Sequence, residues 1–194
     1  MPLPRPLADV LWAVQFRFNN RFRRRLTVLK CDTTGRAAGA PDAVAGGVTV
    51  VGYGPDEALP ADVTSGLAGR FGMDFPAVQR AEAAEGATLW VGSIPGEHGG
   101  EPLGFARTRP GDRAPGWHEA LGPDDRLVYA MATHRAARGR GISTAILRAA
   151  LAAAPPGGAA WADTMVWNAP ALAVLRRVGF VDLYEADPLP DHPD

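Results

Sequence analysis

The spacing of apolar residues switches repeatedly between the helical and the strand period along this chain. Residues 7–18 place apolar side chains at helical spacing and predict an amphipathic helix. Segments rich in β-branched residues predict strands over 26–31, 48–53, 88–94, 102–108, 126–133, 160–166 and 180–185. Further helices are predicted over 60–71, 75–85, 142–154 and 168–178. The pattern contains neither an internal repeat nor an obvious linker, which indicates one folded domain.

Breaker and capping residues predict where several of these elements end. Asp62 and Asp74 are predicted to cap the two helices that they open. Two prolines and two glycines at 155–158 end the helix before them. Residues 95–100 predict a hairpin turn, and the Gly/Ala-rich stretch 35–47 predicts a loop.

Composition and length fit a globular protein of ordinary domain size. The chain has 194 residues, of which 46% are hydrophobic and 21% charged. No apolar run approaches the roughly 20 residues that a membrane span needs. Cys31 is the only cysteine, so no internal disulfide can form, and we expect it to be a small buried residue. Four scattered histidines offer no clustered metal site. These features favour a cytoplasmic protein.

The charge is unevenly distributed along the sequence. The net charge is −1, which gives no indication of a nucleic-acid partner, yet residues 1–35 carry seven basic side chains against two acidic ones. Two interpretations stay open: a helix packed on the domain with its arginines in water, or a basic patch for an acidic substrate, membrane surface or partner. We predict a basic helical extension over 1–25, the main domain over 26–187 and a flexible tail over 188–194.

The turn at 138–144 carries the strongest chemical signal. It contains Arg138, Gly139, Arg140 and Gly141, follows a predicted strand and opens a predicted helix. The first N–H groups of a helix lack internal partners and lie at the positive end of its dipole. Glycines let the backbone approach a phosphate closely, and arginines add charge and forked donors. The turn therefore predicts a pyrophosphate site for a dinucleotide, a nucleotide or coenzyme A; an ordinary Gly-rich turn with surface arginines is the alternative.

Two common phosphate motifs are excluded by the residues themselves. A Walker loop needs a lysine, and this turn has none. The Rossmann pattern GxGxxG fails, because Gly139 and Gly141 are followed by Ile142, Ser143 and Thr144.

The segment resembles the GNAT N-acetyltransferase family, which carries [QR]-x-x-G-x-[GA] between a central strand and the next helix. Arg138, Gly141 and Ser143 occupy the motif positions here, with serine in place of the usual glycine or alanine. The resemblance implies an α+β GNAT fold, in which helices flank a mixed, mostly antiparallel sheet. It also implies that the end of strand 126–133 pairs with the pantetheine arm and that the turn binds the pyrophosphate. The implied coenzyme-binding residues are Met131, Ala132, Thr133, Arg138, Gly139, Arg140, Gly141, Ile142, Ser143, Thr144 and Asn168.

A second, independent motif adds to this resemblance. GNAT proteins often have N-x-x-A-x-x-x-Y-x-x-x-G-F in the following strand–helix unit. Asn168, Ala171, Gly179 and Phe180 match those spacings. Asn168 is thereby implied to contact the arm of the coenzyme, although asparagine is also a good helix cap. The resemblance spans roughly residues 48–185.

The catalytic residues depart from the family pattern. The family's usual tyrosine acid falls at Leu175, which cannot donate a proton. Some relatives place a glutamate base five residues before the asparagine, and Asp163 holds that position here. Burial among apolar neighbours raises the pKa of a carboxyl group toward useful values. Tyr129, on the strand that faces the expected cleft, is a second candidate acid or base, and His118 and His134 are weaker candidates.

Together these features imply an N-acyltransferase that moves an acetyl or other acyl group from acyl-CoA to a primary amine of a small metabolite, without a metal. A non-catalytic coenzyme A-binding module and an enzyme acting on a protein or peptide amine are the alternatives. The resemblance also allows a homodimer, because relatives often pair through their sheets or C-terminal strands.

Overall fold

A single eight-stranded sheet organises the molecule. The structure, a computed structural model, describes residues 24–33, 43–45, 47–72, 75–96 and 100–189. The strands are β1 Leu26–Asp32, β2 Ala43–Ala45, β3 Val48–Tyr53, β4 Thr88–Ser93, β5 Gly104–Pro110, β6 Arg126–Thr133, β7 Ala159–Met165 and β8 Val181–Ala186. The helices are α1 Ala61–Phe71, α2 Phe75–Ala84, α3 Ile142–Ala152 and α4 Ala169–Arg177. The predicted α+β architecture, with helices that flank a mixed, mostly antiparallel sheet, is confirmed.

The order of the strands is β2-β3-β4-β5-β6-β7-β1-β8. Among the described strands, six neighbouring pairs are antiparallel and one pair, β6 and β7, is parallel. The parallel pair is connected by α3, as a crossover connection requires. The N-terminal strand β1 lies between β7 and β8, a long-range pairing that periodicity alone does not predict.

Helix α3 packs unusually close to the sheet because two strand glycines leave room for it. A Cβ atom at Gly92 or at Gly104 would lie 2.9 Å from Cγ2 of Ile142, the first residue of α3. That separation is shorter than real side chains tolerate, so larger residues at either position would push the helix away. The two glycines therefore fix where α3 begins relative to β4 and β5.

The parallel strands β6 and β7 separate after a short stretch of pairing. Their register pairs Arg126–Val128 with Ala160–Ala162, and within the described chain both strands then continue without pairing to each other. A bulge in β6 accompanies this separation: the β5–β6 register shifts between Phe105 and Arg107, and Ala130 has a φ of 49°. Bulges bend the strand that contains them. The outcome is a fork between β6 and β7, with 129–133 and 163–165 as its arms.

Three local predictions were wrong. The predicted 35–47 loop contains strand β2, which pairs with β3 across a turn in which Gly47 has a φ of 79°. Asp62 does not cap α1; the cap residue is Pro60, and Asp62 lies in the first turn, where its charge favours the helix dipole. Strand β5 begins at Gly104 rather than at Pro102, whose nitrogen cannot donate to a ladder.

Some predictions fall on the edges of the described chain or outside it. The helix over 7–18, the capping role of Asp74 and most of the predicted tail lie outside the described residues. Strand β8 forms one edge of the sheet and exposes Val181 and Leu183 to solvent. The homodimer stays a prediction. None of the described helices is both long and apolar enough to cross a membrane.

Candidate active site

The turn before α3 is exposed and open above its backbone. Residues 138–141 are all exposed, and Gly139 and Gly141 have φ values of 78° and 82°. A Cβ at either glycine would meet nothing within 4 Å among the described residues, so glycine is needed here for the backbone conformation rather than for internal packing. Gly141 is the N-cap of α3, and the amides of the following turn have no acceptor inside their own helix. The geometry fits a bound diphosphate.

A hydroxyl pair connects this turn to the end of β6. The Oγ atom of Ser143 lies 2.6 Å from the Oγ1 atom of Thr133. The serine at the departing motif position therefore fixes the helix start against the strand that precedes it. Its role toward a phosphate stays a prediction.

In the 129–133 arm of β6, the side chains pack against the core and the backbone lies along the fork. The Met131 side chain packs against the core on the α3 and α4 side of the sheet, whereas Ala132 packs against the core on the α1 and α2 side. Both side chains are therefore used in packing, and the peptide groups of 129–133 on the β7 side pair with no strand in the described part of the chain. This arrangement fits the implied pairing with a pantetheine arm, which stays a prediction.

Asn168 caps α4. Its Oδ1 atom accepts a bond from the Ala171 N–H at 3.4 Å, and its Nδ2 donates to Thr164 Oγ1 at 3.3 Å. The capping role predicted from the sequence is confirmed, and the implied contact with the coenzyme stays a prediction.

Leu175 lies in the hydrophobic core. It is only 3% exposed and belongs to the same cluster of buried residues as Leu172 and Phe180. The position where the family usually has an acid is thus occupied by a packing residue. Any proton donor must come from elsewhere in the site.

Tyr129 and Asp163 stand on opposite arms of the fork and on the same face of the sheet. Val128 and Ala162 are partners in the register and both face the core beneath α3 and α4. The next residue on each strand therefore points to the opposite face. The two predicted catalytic residues thus flank the point where the strands separate.

Tyr129 is held as a neutral phenol. Its hydroxyl donates to the Glu82 carboxylate on α2, and the Arg109 guanidinium lies 4.3 Å from the centre of its ring. Burial, followed by the bond to Glu82, raises the pKa of Tyr129 well above its ordinary value. A raised pKa disfavours the phenolate and therefore argues against a role as base, whereas a role as proton donor stays a prediction.

Asp163 forms a buried pair with His118. The His118 Nε2 atom lies 2.9 Å from Asp163 Oδ2, and the two side chains are 5% and 13% exposed. Trp117 packs edge-to-face between His118 and Trp161, with ring centres 5.2 and 5.7 Å away. The loop before β6 thus places a histidine on the predicted base. The sequence offered His118 only as a weaker candidate, because nothing local indicates which strand the loop reaches.

Sequence analysis did not single out Glu82, Arg107 or Arg109, which surround Tyr129. Arg107 is 1% exposed in the middle of β5, and its guanidinium carbon lies 5.5 and 5.6 Å from the ring centres of Phe75 and Phe105. The sequence signal that could have indicated Arg107 is its position inside an otherwise apolar predicted strand. Of its two ring contacts, the one with Phe105 is local, and the one with Phe75 on α2 is long-range.

Other candidate sites are weaker. A depression of about 290 Å³ lies at the opposite end of β6, between Arg126 and the C-terminal end of α3, and none of the predicted site residues lines it. Within the described part of the chain, no group of His, Cys, Asp or Glu side chains could hold a metal ion.

Comparisons with known proteins bear on the family and the fold of the chain. A family model described as "Acetyltransferase (GNAT) family" matches residues 65–180, more than half of the chain. No curated protein matches the sequence significantly.

Solved structures resemble the fold at low sequence identity. A tandem GNAT protein from the clavulanic acid biosynthesis pathway is 17% identical with a TM-score of 0.54, over 86% of this chain and 54% of that one. A GNAT-family protein from Novosphingobium aromaticivorans is 16% identical with a TM-score of 0.53, over 84% and 61%. A GCN5-related N-acetyltransferase from Sphaerobacter thermophilus is 13% identical with a TM-score of 0.52, over 88% and 53%. The chain therefore spans only about half to three fifths of the length of these proteins.

Proposed function

Because this chain belongs to the GNAT acetyltransferase family, we propose that it transfers an acetyl or other acyl group from coenzyme A to a primary amine of a small metabolite. The family uses acyl-CoA, and acyl transfer is its chemistry. The amine, the acyl chain and the residues assigned below are parts of the proposal.

The observation that carries the proposal is the open turn at 138–144. The turn combines two glycines in the left-handed region, exposed arginines and the first amides of α3, which have no acceptor inside their own helix. Backbone donors of this kind hold phosphate oxygens without reorganisation. In the proposal, the adjacent arm of β6, which pairs with β5 but not with β7, provides peptide groups for the arm of the coenzyme and an N–H for the negative charge that develops on the acyl oxygen.

The amine must lose a proton before or during the attack on the acyl carbon. In the proposal, His118 accepts that proton at Nδ1, while its Nε2–H donates to Asp163. The carboxylate fixes this tautomer and stabilises the imidazolium as it forms. Asp163 then acts as the positioning residue of the pair rather than as the direct base.

The departing thiolate needs a proton or a strong donor. Tyr129 occupies the other arm of the fork and remains a phenol because its pKa is raised. We assign it a hydrogen bond to the departing sulfur, made when the hydroxyl turns away from Glu82, and the thiolate then takes its proton from the His118 imidazolium or from water. Proximity of the two reactants in one cleft supplies much of the remaining rate.

A two-step experiment tests this function. Calorimetry with acetyl-CoA measures binding, and a thiol-release assay over a panel of primary amines then measures turnover. The proposal predicts binding together with turnover of at least one amine. Absence of acetyl-CoA binding would contradict it.

A second candidate function follows from the buried Leu175. With the usual acid replaced by a core residue, the chain could be a module that binds coenzyme A without catalysis. Binding without turnover of any amine, including peptide amines, would favour the module. Deleting residues 1–25 addresses a protein or peptide acceptor: unchanged kinetics with a peptide amine would remove the idea that the basic segment docks it.

A further inference from the structure

A buried polar cluster lies on the α2 side of β5 and β6, beside the fork. We define the acceptor cluster as Gln79, Glu82, Arg107, Arg109 and Tyr129. Gln79 and Glu82 lie on α2, which covers the cluster and buries only Phe75 and Gln79. Arg109 and Tyr129 are half-buried, so the cluster reaches from the fork surface to the interior.

The hydrogen-bonding capacity of this cluster is incompletely used. Among the described residues, the buried Nε and Nη2 of Arg107, the Nε of Arg109 and the Oε1 of Gln79 have no hydrogen-bond partner. Buried polar atoms are bonded in the great majority of cases, so several orphaned atoms in one place need an explanation. Three of the four are guanidinium nitrogen donors, which indicates that the missing partner is an acceptor.

The charge of the cluster points the same way. Two guanidinium groups face one carboxylate, and that carboxylate already accepts the Tyr129 hydroxyl. Tyr129 is neutral, so the cluster carries one uncompensated positive charge. Burial lowers the pKa of Arg107, and only Glu82 and Tyr129 oppose that effect. A buried unpaired charge is costly unless an opposite charge joins it.

We propose that the acceptor cluster binds the carboxylate of the amine acceptor, so that the substrates are amino-carboxylates such as amino acids. A carboxylate supplies one negative charge and accepts forked donors from arginine. The Oε1 of Gln79 is then available to accept a bond from a donor on the same molecule. Arg109 and Tyr129 are half-buried, so the carboxylate enters the cluster from its exposed side, next to the fork. This inference rests on the proposed function, since it assigns the acceptor of that reaction.

The test compares amine acceptors with and without a carboxylate, and the effect of the variant on each. Each amino acid in the panel is paired with its carboxamide, and kcat and KM are measured for the wild type and for Arg107→Met. Methionine keeps most of the apolar bulk and removes the charge, and such a replacement of a buried ion is often tolerated. We expect Arg107→Met to raise KM for amino acids roughly 10- to 100-fold while leaving KM for the carboxamides unchanged. The control is Arg113→Met, an exposed arginine in the turn after β5.

Direct binding separates the failure of this inference from the failure of the proposed function. The melting temperature is measured with increasing glutamate, aspartate or N-acetylglycine, in the presence of coenzyme A. A rise in the wild type that is lost in Arg107→Met supports the carboxylate site even if no amine is acetylated. If amino acids and their carboxamides are turned over equally well, and Arg107→Met changes neither rate, the carboxylate site is wrong. The proposed acyltransferase function would then still hold. If Arg107→Met fails to bind coenzyme A, Arg109→Met replaces it, with the same expectations.

Discussion

Two regions beside the fork are built in different ways: the turn at 138–144 and the sheet face that carries Tyr129 and Asp163. The turn at 138–144 is a continuous stretch of backbone in which 138–141 are exposed, and its functional groups are consecutive amides. The opposite face, where Tyr129 and Asp163 lie, is made of side chains from α2, β5, β6, β7 and the loop before β6. The first region depends on local conformation, and the second depends on the whole fold. Substitutions should therefore affect them separately: those in the turn should change coenzyme affinity, and those on the other face should change turnover or acceptor recognition.

The sharpest separation is expected for the His118–Asp163 pair. Asp163→Asn removes the charge that orients and stabilises the histidine, so kcat should fall by roughly 100-fold or more, the usual worth of a positioned base. The kcat of His118→Gln should fall by at least the same factor. Because the two act as a unit, the double variant should be about as slow as the worse single variant. The measurement is kcat by thiol release together with the Kd for coenzyme A, which should not change.

Asp56→Asn serves as the control, because Asp56 is exposed and distant from the pair in sequence. Full activity in Asp163→Asn would remove the pair from the mechanism. If Asp163→Asn also weakened coenzyme A binding, the turn at 138–144 and the His118–Asp163 pair would not be independent.

At the turn, Arg138→Ala should weaken coenzyme A binding by about 1.5–3 kcal/mol, or roughly 10- to 150-fold in Kd, because it removes a charge-assisted contact. Calorimetry of the variant beside Arg148→Ala tests this. Arg148 is exposed on α3, the helix that follows the turn, and lies beyond its first turn. Equal affinity in Arg138→Ala and Arg148→Ala would count against the phosphate assignment.

The smallest effect concerns the position where the family usually has tyrosine. If Leu175 were merely a missing acid, Leu175→Tyr would restore a proton donor and raise kcat. Its burial in the core predicts instead a loss of about 1–3 kcal/mol of stability from overpacking and no gain in rate. Denaturant unfolding and thiol release measure the two outcomes, with Leu175→Met as the volume-conserving control. A faster enzyme would show that this side chain can reach the reaction.

Local signals explain how far the sequence predicted the molecule. Strands β3 and β6 were predicted with their exact limits, and the helix start at Ile142 was given by the glycines before it. The exposed, glycine-dependent character of the turn follows from the same few residues. Features that depend on a short stretch of chain were therefore largely predicted from the sequence.

Features that depend on contacts between distant parts of the chain could not be predicted from the sequence. The insertion of β1 between β7 and β8 depends on pairing over more than a hundred residues, and the bulge at Ala130 leaves no mark in an otherwise regular apolar strand. His118 reaches Asp163 only because of the path of its loop, and Glu82 reaches Tyr129 only because α2 crosses β6. The side-chain face of the fork is thus the part that required the structure.

Backbone amides at the helix start are the central element of this account, and nuclear magnetic resonance observes them directly. Uniformly ¹⁵N-labelled full-length protein is titrated with coenzyme A, and the amide resonances are followed to saturation. The account predicts that the largest shifts fall on residues 139–144 and that they are lost in Arg138→Ala at the same ligand concentration. Saturable binding that leaves those amides unmoved, with the main shifts elsewhere, would contradict it.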